Sequence, residues 1–152
     1  MILEVVHSLR DAGTRVELNE EERKKKRWLE KQKRLLARDT TLQNIVDGYR
    51  DCPTEFEQMC AELFRKQGYR CQVTPKTNDG GYDIFFRQGK ETGIVECKCY
   101  SVGHKVGRPE IQKLVGANVI QQANKMLFVT TSSFTPEARE YAKETDVTLI
   151  SG

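Results

Sequence analysis

The spacing of apolar residues tightens at Pro53 and stays regular to the end of the chain. In "PTEFEQMCAELFRKQGY", Phe56, Met59, Cys60, Leu63 and Phe64 recur at i, i+3, i+4, i+7 and i+8, which predicts a core-facing helix ending at Gly68. Thr54 and Glu57 have the spacing of a capping box at its start. "YRCQVT" alternates like a strand, and "PKTNDGG" is a turn-rich loop. "YDIFFR" and "GIVECKCY" read as two strands joined by "QGKETG" into an antiparallel hairpin. Pro109 opens a second helix, with Ile111, Leu114, Val115 and Val119 on one face. "KMLFVTT" is a compact apolar strand suited to burial on both faces. Thr135 caps a third helix beginning at Pro136, and "VTLIS" is the final strand. The expected order is helix, three-stranded antiparallel meander, helix, strand, helix, strand, a mixed α/β class.

Residues 1–52 have a different texture and read as a charged helical extension, leaving 53–152 as the folded unit. From Asn19 to Arg38 acids come first and bases follow, which suits a helix whose dipole favours negative charge at its start. Its apolar stripe of Trp28, Leu29, Leu35 and Leu36 is thin. Such a helix docks lightly, pairs with another copy, or lies against something anionic. "DTTLQNIVDGYRDCP" then reads as a connector with one short helical turn.

Composition narrows the class without choosing a function. The 152 residues, 38% hydrophobic and 31% charged, can enclose one core of about 100 residues, not two full domains. A net charge of +3 permits a polyanion partner without requiring one. Cys52, Cys60, Cys71, Cys97 and Cys99 are odd in number and lie in helix and strand segments, so reduced thiols and a cytoplasmic home are expected. "MILEVVHSLRDAG" has no basic lead and no long apolar core, and no later window could span a bilayer.

One strand carries charge where a core strand should not. By alternation, Ile94, Glu96, Lys98 and Tyr100 share one face, and Val95, Cys97 and Cys99 the other. Asp83 projects with Phe85 and Arg87, opposite Tyr82, Ile84 and Phe86. Pairing of the two strands brings Asp83 to the rim of Glu96, with Gly80 and Gly81 leaving backbone room beside it. Two converging carboxylates suit a hard divalent cation such as magnesium, which polarises a phosphate oxygen, and a lysine beside them can offset charge building on phosphorus. A solvent-facing Glu96 to Lys98 ion pair on a strand edge accounts for the same spacing.

Asp83 followed by Glu96-Cys97-Lys98 resembles the acid and Glu-x-Lys signature of the PD-(D/E)xK nuclease superfamily. "TEFEQMCAELFRKQGY", "DGGYDI", "VECKCY", "PEIQKLVGA" and "VTTSSFTPEARE" resemble, in that order, the catalytic domain of Mrr-type restriction endonucleases, over about residues 53 to 152. The resemblance implies a restriction-endonuclease-like core and metal-dependent cleavage of double-stranded DNA. Asp83 and Glu96 would bind Mg2+, for which Mn2+ can substitute, with the main-chain carbonyl of Cys97 as a third ligand and Lys98 as the catalytic lysine. Glu57 matches an acid that often reaches the metal or its waters, in rivalry with its place in the capping box. Gln112 matches a position that often faces the site. Tyr82 stands where the superfamily motif has proline, and many Mrr-like members have Gln at the position of Glu96.

Cys97-x-Cys99 lacks a second pair with zinc-ligand spacing and reads as buried thiols. "SVGHKVGR" follows the catalytic strand and offers His104, Lys105 and Arg108 to a DNA backbone. A structure-selective nuclease resembling Holliday junction resolvases, or a non-catalytic DNA-binding module, shares this core. Cleavage of both strands calls for two active sites, so a homodimer is expected. Mrr-like enzymes usually carry a separate reader domain, often for modified bases, so specificity is expected from a partner, from the N-terminal arm or from sequence outside this chain.

Overall fold

The computed structural model describes residues 20–37, 42–75 and 80–152. Expectations for residues 1–19 and 38–41, and for the middle of the "PKTNDGG" loop, lie outside the described residues. In chain order the elements are α1 (Glu20–Ala37), α2 (Leu42–Tyr49), α3 (Pro53–Lys66), β1 (Arg70–Val73), β2 (Ile84–Gln88) and β3 (Glu91–Lys98). They continue as β4 (Lys105–Val106), α4 (Arg108–Gln121), β5 (Lys125–Thr130), β6 (Ser133–Phe134), α5 (Pro136–Glu144) and β7 (Val147–Ile150).

The main sheet runs β1-β2-β3-β5-β7. The β1-β2 and β2-β3 pairs are antiparallel, and the β3-β5 and β5-β7 pairs are parallel, so the expected meander is joined to two crossovers through α4 and α5. The short strands β4 and β6 pair parallel to each other in a separate ladder that the sequence did not announce.

Each sheet face has its own core. On one, Phe56, Met59, Cys60 and Leu63 of α3 pack over Ile84, Phe86, Val95 and Cys97. On the other, Ile111 and Leu114 of α4, with Ala138 and Ala142 of α5, pack over Ile94, Phe128 and Val147. Helix α1 adds Trp28 to the edge of the first core and ties to α3 through Lys31 and Glu55, 2.8 Å apart. Among the described residues no helix is long and apolar enough to cross a membrane.

Three local expectations are corrected. The connector before Pro53 holds a full helix, α2, whose Ile45, Val46 and Tyr49 are buried. Eight residues are too few to hold a helix alone, so docking of its apolar stripe on α3 is what stabilises it. The capping box does not form, because Pro53 takes the first helical position and makes Cys52 the cap residue, leaving Thr54 inside the helix. Val119 is 73% exposed rather than facing the sheet. Eight residues beyond Ile111 it has rotated by about 80° at 3.6 residues per turn, enough to leave the contact stripe.

The hairpin turn is tighter than "QGKETG" suggested, since Gln88 already pairs with Glu91. Gly89 supplies the positive φ of +60° that such a two-residue turn needs at its first central position. Within the hairpin, Gly93 lies opposite Phe86, and a β-carbon there would fall on the Phe86 ring. That ring cannot withdraw, because it stacks on Phe64 at 6.1 Å and meets Tyr69 edge-on at 5.1 Å. Gly93→Ala is expected to lower unfolding free energy by about 1–3 kcal/mol through overpacking. Phe86→Leu in the same chain should recover part of that loss in urea titrations, and no recovery would show the clash to be elsewhere.

Candidate active site

Asp83 stands one residue before β2, yet the backbone holds it as part of the sheet. Its N–H donates to the Val95 carbonyl at 2.9 Å and its carbonyl accepts from the Thr74 N–H at 2.8 Å. The approach to it bends at Gly81, with φ +80°, where a β-carbon would come within 3.0 Å of Ala117. Glycine is needed there both for the backbone angle and for the close passage of α4. The side chain of Asp83 then turns to β3, where its Oδ2 accepts the Cys97 N–H at 2.7 Å. The N–H and C=O of one strand residue face the same neighbour, so the Cys97 carbonyl also opens to the side of Asp83.

The alternation expected of β3 holds. Val95 and Cys97 enter the core under α3, whereas Ile94 is buried on the α4 side. Further along that second face, Glu96, Lys98 and Tyr100 line a cleft of about 460 Å³, joined there by Asp83 and by Glu57 of α3. Glu57 is buried, at 8% exposure, in the first turns of its helix. Lys98 Nζ is ion-paired with Glu96, whose side chain retains 16% of its accessibility. The strand-edge ion pair therefore exists, but inside the cleft rather than on an open surface. Burial pulls the Lys98 ammonium down; the hydrogen bond to Glu96 and the charges of Glu96 and Asp83 outweigh it, leaving Lys98 above the usual lysine range. It is a fixed cation at neutral pH and not a proton acceptor.

Other residues complete the rim. Thr74, Tyr82, Glu110 and Lys113 also line the cleft. Tyr82 does not join Ile84 and Phe86, as alternation had suggested. It packs on the α4-side core and its Oη donates to Gln121 Oε1 at 3.1 Å, because it precedes β2 and the Gly81 bend frees it from the strand's period. Tyr100 Oη donates to Glu110 Oε1 at 2.7 Å, and Glu110 Oε2 accepts the Gly107 N–H at 3.2 Å, closing the loop between β3 and α4. Burial and then the Glu110 hydrogen bond push the Tyr100 phenol up to about 12. Behind the strand, Thr131 Oγ1 donates to the Tyr100 carbonyl at 2.6 Å and the Thr131 N–H to the Lys98 carbonyl at 3.3 Å.

The basic loop residues are placed separately. His104 is exposed and packs on the Tyr100 ring at 4.3 Å. Lys105 is exposed on β4, and the Arg108 guanidinium lies 4.6 Å over the Tyr141 ring. Gln112 is exposed on α4 and does not line the cleft, to which that helix contributes Glu110 and Lys113. Glu110 had a sequence signal, as an acid just inside a proline-led helix start; Lys113 and Thr74 had none.

Among the described residues no three of His, Cys, Asp and Glu form a ready-made metal cage. Cys97 is buried against Cys60, and burial pushes its thiol well above the ordinary range; burial likewise lifts Cys99 to about 11. Such protonated thiols are poor zinc ligands. The carboxylates of Asp83, Glu96 and Glu57 are a different donor class. Magnesium keeps several waters and is held by one or two carboxylates together with substrate phosphate, which this cleft can offer.

Comparison with known proteins places these features in context. The catalytic-domain family Mrr, described as restriction endonuclease, matches residues 51–152. The type IV methyl-directed restriction enzyme EcoKMrr of Escherichia coli (strain K12) is 32% identical over 123 residues, covering 75% of this chain and 39% of that enzyme. The chain thus spans about two fifths of that relative's length. The MspJI restriction endonuclease, solved with a 27-mer oligonucleotide, has a TM-score of 0.59 at 23% identity over 74% of this chain and 29% of its own. The DNA modification-dependent restriction endonuclease AspBHI has a TM-score of 0.57 at 26% identity over 74% of this chain and 32% of its own.

Two outcomes follow from the site's surroundings. Thr131→Val leaves the half-buried Tyr100 carbonyl without the donor that the buried Thr131 supplies and should cost about 1–3 kcal/mol of stability in denaturant titrations. A change within error would show that the strand end is held elsewhere. Burial, partly offset by Arg65, lifts the Cys71 thiol to about 11. Its alkylation rate, followed by mass spectrometry of that peptide, should keep rising as pH passes 9, because the reactive thiolate is the form that burial disfavours. A plateau near pH 9 would contradict the burial argument.

Proposed function

Since the chain belongs to the Mrr-type restriction endonuclease family, we propose that it is a metal-dependent DNA endonuclease that hydrolyses phosphodiester bonds. The observation that carries this reading is the convergence of Asp83, Glu96, Lys98 and Glu57 on one cleft from three separate elements. Asp83 and Glu96 would hold Mg2+ or Mn2+, with the Cys97 carbonyl as a further oxygen and Glu57 reaching the ion or its waters. The ion, when bound, polarises the phosphate and lowers the pKa of a water.

The chain's own groups do the rest. The Cys97 N–H fixes one carboxylate oxygen of Asp83, so that carboxylate meets a cation in a set orientation. Lys98 keeps its positive charge and offsets the negative charge that builds on the phosphate oxygens. Glu96 holds that ammonium at the mouth of the cleft until a ligand competes for the carboxylate. Gln112 would act only by swinging in from its exposed place on α4. His104 and Lys105, exposed beside Tyr100, would grip the DNA backbone, and Arg108 would do so from its seat on Tyr141.

The substrate is proposed as double-stranded DNA, with modified bases as the target class, by analogy with the methyl-directed and modification-dependent relatives. Cutting both strands calls for two sites, hence a homodimer, and choice of target calls for a reader outside the described residues. Five free cysteines suit a reducing cytoplasm.

The decisive experiment is cleavage of supercoiled plasmid, plain and methylated, with Mg2+ or Mn2+ and with chelator. The expected result is metal-dependent nicking, reduced about 10²–10³-fold or more in Asp83→Asn and in Lys98→Ala, the range typical of losing one charge-stabilising group. Binding without cutting on plain, methylated and branched DNA alike would overturn the catalytic assignment.

A further inference from the structure

The sheet face that carries the cleft continues past it, and two arginines stand on it side by side. In the β1-β2 ladder Arg70 lies directly opposite Arg87, and Gln72 opposite Phe85. Cys71 and Val73 pack toward the α3-side core, so alternation puts Arg70 and Gln72 on the other face. That is the face of Phe85, and two residues earlier of Asp83. Both arginines are exposed.

Like charges directly opposite each other destabilise an antiparallel pair. Among the described residues no acid pairs with either arginine. The nearby charges are already engaged: Glu91 holds Lys125 at 2.5 Å, and Arg65 is occupied by Glu62 at 2.5 Å and the Cys71 carbonyl at 2.8 Å. Two guanidinium groups without an acid partner among the described residues thus stand together on the sheet face that carries the cleft. Guanidinium is the side chain best shaped to take phosphate oxygens in a fork.

Distance fits a DNA backbone. Four strand residues separate Arg87 from Asp83, roughly 13 Å at about 3.3 Å per residue. Along one strand of a duplex, charges rise about 3.4 Å each, so the same span is about four nucleotides. We propose that Arg70 and Arg87 form a phosphate clamp that binds the DNA backbone about four nucleotides from the bond held in the cleft. The clamp rests on the nuclease reading above and extends it, by naming where the substrate lies beyond the cleft.

The test is fluorescence anisotropy of a labelled duplex with the full chain, without metal so that nothing is cut, across a potassium chloride series. Each phosphate contact contributes about 0.9 to the slope of log affinity against log salt. The slope should therefore fall by about 0.9 in Arg70→Gln or Arg87→Gln and by about 1.8 in the double variant, and stay at the parent value when both are Lys. The double Gln variant should melt at or above the parent temperature, since a repulsion has been removed. An unchanged slope overturns the clamp, and a lowered melting temperature does so by showing the pair to be structural. If the parent chain cuts plasmid and the slope is unchanged, only the clamp fails. A parent that neither binds duplex nor cuts plasmid removes the nuclease reading and the clamp together.

Discussion

The register of β2 against β3 is the constraint on which the cleft depends. Ile84 pairs with Val95 and Phe85 with Ile94, so Asp83 falls level with Glu96 and on its face. A slip of one residue would move every side chain of β2 to the opposite face and send Asp83 into the core under α3. Three independent features oppose that slip. The two-residue turn at Gly89 fixes the closed end, the missing side chain of Gly93 makes room for Phe86 alone, and the Asp83 to Cys97 hydrogen bond ties the open end. The carboxylate is thus a structural latch as well as the proposed metal ligand. Its removal should be felt in the backbone of β3 as well as in the chemistry.

The two halves of the sheet divide the labour. The antiparallel half, β1 to β3, is covered by α3 on one face, and on its other face, where α4 reaches Ile94 and Phe85, stand Asp83, Glu96 and the two arginines. The parallel half, β3 to β7, is covered by α4 and α5 and contributes the rigid end of β3. There Thr131 holds the carbonyls of Lys98 and Tyr100, while the buried Thr130 and Ser132 hydroxyls bond each other at 3.0 Å. Buried polar groups satisfied in this way rigidify a strand end, because each alternative arrangement leaves one of them without a partner. Lys98 is then positioned by a network that lies behind the strand rather than by its ion pair with Glu96 alone.

Charge follows the same division. The cleft gathers four acids, Glu57, Asp83, Glu96 and Glu110, with Lys98 and Lys113, and the sheet face beyond it gathers two arginines that form no ion pair among the described residues. In the proposed complex the acid-lined cleft would hold the cation, with exposed His104 and Lys105 beyond one end of β3 and exposed Arg70 and Arg87 toward the other for the DNA backbone. Each grouping costs the folded chain some electrostatic stability by itself, and each is relieved by a different component of the proposed complex.

The sequence by itself determined the order of the helices and main-sheet strands from Pro53 onward, though not the short β4-β6 ladder, and also the face on which Glu96 and Lys98 lie and the Thr135 cap. These are set by local periodicity and by turn chemistry, which act within a few residues. It failed where a contact from elsewhere in the chain decided the outcome. Helix α2 is held because Ile45 and Tyr49 join the core that α3 covers, and Tyr82 leaves its expected face because Gly81 passes close to α4; Val119, by contrast, is exposed because the helix period itself carries it about 80° off the stripe of Ile111. The capping box gave way to a proline one residue earlier, a local rule overridden by a stronger local rule. Which residues meet across the cleft was wholly a tertiary matter. Thr74, just past β1, meets Glu110 and Lys113, one turn apart on α4, and no spacing along the chain encodes the sheet order and helix placement that bring the two segments to one rim.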